Sequence, residues 1–350
     1  MRSILQGTAL VLIILVSIAF FLTLVAQLND VGTGDYGFMQ MLYFLFLKIP
    51  GQIVNSIAIS VLIGTILSLG SLANNNEIVV VQSSGLSILS LLSILLKAAL
   101  IVAVFTIVLQ QWLVPLSEPA ARNYRQAAMQ GLDFLNKSEG VWFKDGYRVV
   151  HIKKLALDGY AQGIQIFELN EKGEMQKATS AEFAESKGKK WILNKVKISF
   201  INTEKVTVEA LEQLVYDGDL STSLLKSLRV DQELMSLTDL YKYQKFLGNN
   251  GLDNYSEKII LWRKIYSPFA ILVMCSLALP FILGSQRGGQ AGRRVMLGVI
   301  LGLSFAVFDR FLVRMGEYFL IYPEINTLLP TLIFMLGNIV LLYRLEKNKD

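Results

Sequence analysis

Charge is what this sequence has least of. Only 17% of its 350 residues are Asp, Glu, Lys or Arg, against about 25% in an ordinary soluble domain. It has one cysteine, Cys275, which excludes an internal disulfide and a cysteine-ligated zinc site. It has one histidine, His151, which excludes metal sites built from several imidazoles. There is no GxxxxGK[ST] phosphate loop, so the chain carries no ATP-hydrolysing motif of its own. The acidic residues show no spacing that marks a general acid/base pair. Gly32-Thr-Gly-Asp-Tyr-Gly37 matches GxGxxG formally. It follows an apolar run rather than a strand and reads as a loop.

The few charges are unevenly placed. Residues 1–115 hold 6 of the 61, residues 116–262 hold 40, and residues 263–350 hold 15. This excludes a single soluble globular domain, a disordered chain and a one-helix anchor on an enzyme. The centre is balanced at 20 basic and 20 acidic residues, while the last segment has 10 and 5 and so accounts for the whole net charge of +5. A pI of about 9.1 is a footprint that nucleic-acid binders share. Here the excess flanks apolar runs, which points to cytoplasmic loops rather than to nucleic acid.

A helix needs about 20 apolar residues to cross a bilayer core. Ser3–Asn29, Ile49–Asn76, Ala98–Ser117, Ile265–Gln286 and Ile325–Tyr343 contain no charge at all. Lys97 is placed to snorkel at the start of the third run. Val295–Phe308 is shorter, 14 residues, and its span has to continue past Asp309 and Arg310 or tilt. Those two charges suit interfacial anchors or a polar entrance. The first run is too long for a signal peptide and lacks a small-residue cleavage site. The pattern predicts six spans, three on each side of a polar centre. Arg287, Arg293 and Arg294 between spans, Arg344, Lys347 and Lys349 after the last, and Arg2 before the first place both termini in the cytoplasm. The centre then lies outside it. Cys275, in an apolar run, reads as a small packing residue.

Within the centre, Val141–Phe143, Tyr147–Leu155, Gly163–Leu169, Lys190–Phe200 and Lys205–Val208 read as strands parted by Gly, Asn and Asp turns without proline. Trp191, Leu193, Val196, Ile198 and Phe200 alternate with one slip. Such spacing predicts an all-β sandwich or jelly roll. Residues Ser236–Asn249 have helical periodicity and form a connector back to the membrane. His151 lies between Val150 and Ile152 in a strand, where a structural place is expected.

Three constellations could carry function. The first is the loop Ser71–Gly85. Asn74 with Glu77 three residues on suits an N-cap, and Gly85 a C-cap, framing a short helix that bears Ile78, Val79, Val80 and Val81. Four exposed β-branched residues either pack under the span ends or dock into a groove on a cytoplasmic partner, with Glu77 offering a charge to a basic residue there. The second is Ser117–Arg125, where Arg122 and Arg125 share a face if the helix of the third span continues. Paired guanidiniums at the outer surface suit phosphate or carboxylate groups, or simple anchoring in the interface. The third is Gly298, Gly302 and Ala306, small residues on one face of the fifth span that let another helix approach.

These residues carry a resemblance. Asn76–Gly85 is similar to the "SELVVM-A-G" stretch of the LptF/LptG family of lipopolysaccharide export permeases. Ala121–Arg125 resembles its "ARNYR", Gly140–Gly146 its "GLWAKDG", and Trp262–Phe269 opens the fourth span as in the family. Leu328–Phe334 is more like the LptG members. The resemblance covers essentially the whole chain. It implies an integral membrane α-helical fold of six transmembrane helices, 3+3, with an inserted all-β periplasmic jelly-roll domain. The divisions are 1–117 with a coupling helix near 74–85, 118–262, and 263–350. It implies an inner-membrane permease subunit with an LptF-like companion, two copies of an LptB-like ATPase, and an LptC/LptA-like jelly-roll bridge that receives lipopolysaccharide. ATP and Mg would be used by the ATPase, with no cofactor on this chain. Glu77 would contact the ATPase, and Arg122 and Arg125 would lie near the lipid cavity. A membrane sensor with a ligand-binding β domain is the alternative reading, and a tethered β-domain enzyme a weaker one.

Overall fold

The computed structural model describes residues 1–75, 77, 88–130, 140–145, 147–155, 160–170, 174–187, 190–201, 206–217, 231–250, 252–283, 291–319 and 321–347. They divide into two compact units: Met1–Val31, Gly37–Arg122 and Tyr255–Asp350 form one, and Gly32–Tyr36 with Asn123–Asn254 the other.

The first unit is helical. In chain order it contains α1 (Arg2–Gln27), α2 (Phe38–Asn74), α3 (Ile88–Val108) and the start of α4 (Val114–Gln130), then α6 (Tyr255–Leu283), α7 (Ala291–Phe319) and α8 (Pro323–Lys347). A π-helical turn, Leu109–Leu113, joins α3 to α4 without a loop. Among the described residues six helices are long and apolar enough to cross a membrane, at the places the charge-free runs predict. The fifth does continue past Asp309 and Arg310, as the span Val295–Gly316. The 37 residues of α2 measure about 55 Å at ~1.5 Å per residue. That exceeds a hydrocarbon core of about 30 Å, so α2 extends beyond the membrane or tilts within it.

In the middle of this unit α6 presents Ile271, Met274, Cys275, Ala278 and Leu279, all almost fully buried, at the 3- and 4-residue spacing of a packed helix face. They join Ile57, Val61, Leu62 and Ile66 of α2 and Leu95, Ala98 and Val102 of α3 in one cluster. Cys275 is inside it, its sulfur 3.5 Å from Thr65 Oγ1 and 3.5 Å from the Leu95 carbonyl. The packing place expected from the sequence is where it lies.

The second unit holds the strands β1 (Val141–Asp145), β2 (Arg148–Leu155), β3 (Tyr160–Leu169), β4 (Met175–Lys187), β5 (Lys190–Ile201) and β6 (Val206–Asp217), then α5 (Leu237–Asn249). The six strands form one antiparallel sheet in sequence order. This is the all-β insert expected between the third and fourth spans.

The slip in the alternation of β5 has a structural cause that crosses the sheet. Inward residues change parity in three neighbouring strands: Ala161 to Ile164, Ala181 to Ala184, and Leu193 to Val196. The residues at that level, Lys153, Gly163, Glu182, Lys195 and Glu212, drop out of the regular pairing. Gly163 (φ 68°) and Lys195 (φ 52°) take the left-handed conformation there, which glycine adopts at no steric cost and lysine does not. The result is a transverse crease, spanned by the Lys195–Glu182 ion pair at 2.8 Å. The sheet folds along it. Arg148 on β2 sits over the ring of Tyr216 on β6, 4.9 Å from its centroid, whereas four strand spacings in a flat sheet would part them by about 19 Å. One creased meander therefore encloses Val150, Ile152, Ile166 and Ile198 against Ala184, Trp191, Leu193 and Tyr216, as a sandwich of two sheets would.

The strand Met175–Lys187 was not expected. Its buried residues are Thr179, Ala181 and Ala184, too small or too polar to mark an apolar face. The helix α5 begins where predicted, because Ser236 Oγ accepts from the Asp239 amide at 3.1 Å.

Candidate functional site

The loop after α2 is described only at its start. Asn74 is the last residue of α2 rather than the first cap of a new helix, and the Asn75 amide closes α2 by donating to the Ser71 carbonyl at 3.1 Å. Glu77 is helical and exposed. Ile78, Val79, Val80 and Gly85 lie outside the described residues.

Arg122 and Arg125 both fall on α4, three residues apart on one helix that runs on from the third span. Arg122 is exposed and Arg125 half-buried. Below them, Glu118 is buried and its carboxylate lies against Gly51 of α2. A Cβ there would stand 2.2 Å from Glu118 Oε1. The neighbouring Pro50 lies inside α2, where it leaves a carbonyl without its helical donor.

Gly298 and Gly302 are both buried and face α2. A Cβ at Gly298 would meet Ile66 Cδ1 at 2.8 Å, and one at Gly302 would meet Ile59 Cγ2 at 3.0 Å. Ala306 is half-buried one turn further on. A tighter crossing lies elsewhere. A Cβ at Gly64 of α2 would stand 2.5 Å from the backbone N and Cα of Thr8, and one at Gly7 of α1 would stand 2.7 Å from the Gly64 carbonyl oxygen. Ser68 Oγ donates to the Ser3 carbonyl at 2.7 Å beside it. Two isolated glycines 57 residues apart carry no sequence signal that they meet.

The opening of α6 gathers a polar band. Asp309 is held by Arg263 at 2.9 Å, an anchor whose partner the sequence did not reveal. The Trp262 indole donates to Glu324 Oε1 at 3.1 Å, and Tyr266 stacks on Trp262. The Tyr255 hydroxyl donates to the Gly316 carbonyl at 2.6 Å, so the start of α6 ties the end of α7. Glu324 does the same for the start of α8.

The glycines of the GxGxxG match serve a turn. Gly32 and Gly34 have φ of 94° and 57°, and the Asp35 amide donates to the Ala128 carbonyl at 2.8 Å. In the β unit His151 stacks on Trp142, 4.2 Å between centroids, with Nδ1 3.3 Å from Gln165 Oε1. Among the described residues no cluster of His, Cys, Asp or Glu could hold a metal ion.

What these features define is a polytopic membrane protein. Among the described residues, the polar groups at the opening of α6 join it to α7 and α8. The chain belongs to the LptF/LptG family: the family model "Lipopolysaccharide export system permease LptF/LptG" matches residues 1–344. It is similar to the lipopolysaccharide export system permease protein LptG of Haemophilus influenzae, 30% identical over 352 residues that cover 100% of this chain and 97% of that protein. The LptG of Escherichia coli K12 is 30% identical over 347 residues, 98% of this chain and 96% of the relative.

Proposed function

We propose that this chain is the permease subunit of an ATP-binding-cassette transporter that extracts lipopolysaccharide from the inner membrane and passes it to a periplasmic bridge. The observation that carries the reading is the end-to-end family match on a chain of six spans interrupted by one β insert. The subunit hydrolyses no ATP itself. An LptB-like ATPase pair supplies ATP and Mg chemistry from the cytoplasm, an LptF-like companion completes the membrane pathway, and an LptC/LptA-like bridge receives the lipid. Both termini are cytoplasmic and the β unit periplasmic. The exposed Arg293 and the Arg344 and Lys347 of the last turn of α8 suit that orientation. Glu77 and the residues 78–85 engage the ATPase, and Arg122 and Arg125 face anionic groups of the lipid.

The test is to isolate the chain from a strain co-expressing its neighbours and to identify bound proteins and lipid by mass spectrometry. An ATPase, a second permease and lipopolysaccharide are expected. Isolation of a stable chain with no ATPase subunit would count decisively against the reading.

A further inference from the structure

One row on the outer face of the β sheet is rich in hydrogen-bond donors. In β2, β3 and β4 the residues on either side of that row, Val150 and Ile152, Ile164 and Ile166, Thr179 and Ala181, are buried. Side chains alternate along a strand, so His151, Gln165 and Ser180 lie on the opposite face. The register sets these three side by side, with Lys197 of β5 next in line. Lys153 follows on the same face of β2, at the level of the crease. Facing it there is Gly163, in the left-handed conformation. Its missing side chain leaves the surface open, for a Cβ at Gly163 would stand 2.9 Å from Lys153 Cβ. His151, Lys153, Gln165 and Ser180 line the depression that results, about 250 Å³ in volume and open to the outside.

The chemistry of this lining is one-sided. Gln165 Oε1 can only accept, and His151 Nδ1 lies 3.3 Å from it. The bond therefore puts the imidazole proton on Nδ1 and leaves the two amide N–H donors of Gln165 to other acceptors. The His151 ring is held from its other side by stacking on Trp142. Ser180 adds a hydroxyl, and Lys153 and Lys197 add ammonium groups on exposed side chains. No carboxylate is among the described residues of the lining. Glu182, two residues along β4 from Ser180, is bound to Lys195 at 2.8 Å. Donors and positive charge without an opposing acid suit an oxyanion. Because the donors come from three strands, they suit the several oxygens of a phosphate better than a planar carboxylate, which a single guanidinium fork would serve. The volume is below the ~300 Å³ at which sites for whole small molecules begin, so it fits one group.

We propose that His151, Lys153, Gln165 and Ser180 form a binding site for a phosphate group, on the face of the sheet away from its apolar interior. Lys153 supplies the charge, Gln165 and Ser180 supply neutral donors, and His151 positions the Gln165 amide. The phosphate is either a free anion or one carried by a lipid-linked saccharide. The site needs only the folded β unit and stands apart from the transport reading.

The test uses the full chain in nanodiscs, purified without an oligohistidine tag and grown on isotope-labelled histidine. His151 is the one histidine of the chain, so its ring gives the only labelled magnetic resonance signal. Inorganic phosphate is titrated at constant pH and ionic strength, with chloride as the control anion. The signal should move saturably with phosphate and not with chloride. Lys153→Gln should weaken binding about tenfold, as expected for one charge-assisted hydrogen bond, and Ser180→Ala about fivefold. Lys242→Gln removes the same charge from an exposed place on α5 and should bind as the wild type does. Without phosphate each variant should keep the wild-type signal, which shows that the sheet is intact. Lipopolysaccharide is then compared with the same lipid stripped of its phosphates. If only the intact lipid displaces inorganic phosphate, the site takes a lipid-borne group; if neither does, it takes the free anion. The site is overturned if inorganic phosphate leaves the signal unmoved, or if Lys153→Gln and Lys242→Gln weaken binding equally, which would mean diffuse attraction of anions. Neither result touches the transport reading, which stands or falls with the copurifying ATPase.

Discussion

Gly64→Ala tests the tightest helix crossing in the membrane unit. The added Cβ would lie 2.5 Å from Thr8 N and Cα and close to the carbonyl carbon of Gly7. Carbon atoms pack best at about 3.5–4.0 Å, so α1 has to retreat by about 1 Å. The obstacle is backbone, which cannot rotate aside as a side chain can. Overpacking of this kind costs about 1–3 kcal/mol. Retreat also breaks the Ser68–Ser3 bond of 2.7 Å, worth about 0.6 kcal/mol in a bilayer. Alanine returns about 0.5–1 kcal/mol of helix propensity, which leaves a net loss of roughly 1–3 kcal/mol. The consequence for α1 is large because its packing is almost entirely against α2, while Leu10, Ile13, Ile18, Phe21 and Leu22 on its other sides are exposed. The assay is the heat-denaturation midpoint of the chain in nanodiscs. Gly337→Ala is the internal control, since nothing lies within 4 Å of its Cβ position, and it should be neutral or stabilising by up to about 1 kcal/mol. Gly298→Ala should fall between them, because its obstacle is the far end of the Ile66 side chain. A Gly64→Ala midpoint at or above that of Gly337→Ala would refute the reasoning.

Glu77→Arg reverses an exposed charge at the start of the inter-span loop; ATPase subunits should be lost on purification while membrane insertion persists, and unchanged complex yield would remove the residue from the docking surface. Lys195→Gly relieves a left-handed lysine at the expense of an ion pair whose partners are 66% and 55% exposed. The relief of about 1–2 kcal/mol outweighs a surface pair of about 0–1 kcal/mol, so hydrogen exchange in β5 of the full chain should slow; acceleration would refute the crease argument. The Tyr160 hydroxyl donates to Glu185 Oε1, and that bond, together with the carboxylate charge, holds the phenol above its ordinary value of 10.0. A phenol raised in the folded state stabilises the fold below its unfolded value and loses that contribution as pH rises through the folded one. Glu185→Gln should therefore bring the tyrosine absorbance step to lower pH, and an unmoved step would show that the bond is absent in solution.

The comparison of sequence with structure turns on the range of the interactions involved. The six spans were legible because a bilayer demands a long charge-free run wherever a helix crosses it, and that demand is met locally, residue by residue. The start of α5 was legible for the same reason: a serine cap followed by helical periodicity is a short-range signal. The slip in β5 was visible as a flaw in alternation, but its meaning was not. Only the pairing of β2 to β6 shows that Lys153, Gly163, Glu182, Lys195 and Glu212 form one line along which the sheet folds. The strand Met175–Lys187 escaped notice because it buries only Thr179, Ala181 and Ala184, small residues whose burial is decided by neighbouring strands rather than by their own hydrophobicity. In the functional regions, Gly298 and Gly302 advertise themselves by spacing on one helix, while Gly7 and Gly64 make a closer contact across two helices with no local pattern. Asp309 was noticed as a charge within a span, but Arg263 became its partner only through the packing of α6 on α7.

The sequence by itself determined that this chain lives in a membrane, how many times it crosses, and which family it joins. Those properties follow from composition along the chain and from motifs a few residues long. The tertiary structure alone decided which polar groups meet inside the helical unit. The Gln110 amide donates to the Ser267 hydroxyl across 157 residues, and neither belongs to a recognisable motif with the other. What brings them together is the register in which two helices pack, and in a bilayer, where lipid is as apolar as leucine, that register is set by close packing and a few hydrogen bonds rather than by hydrophobicity.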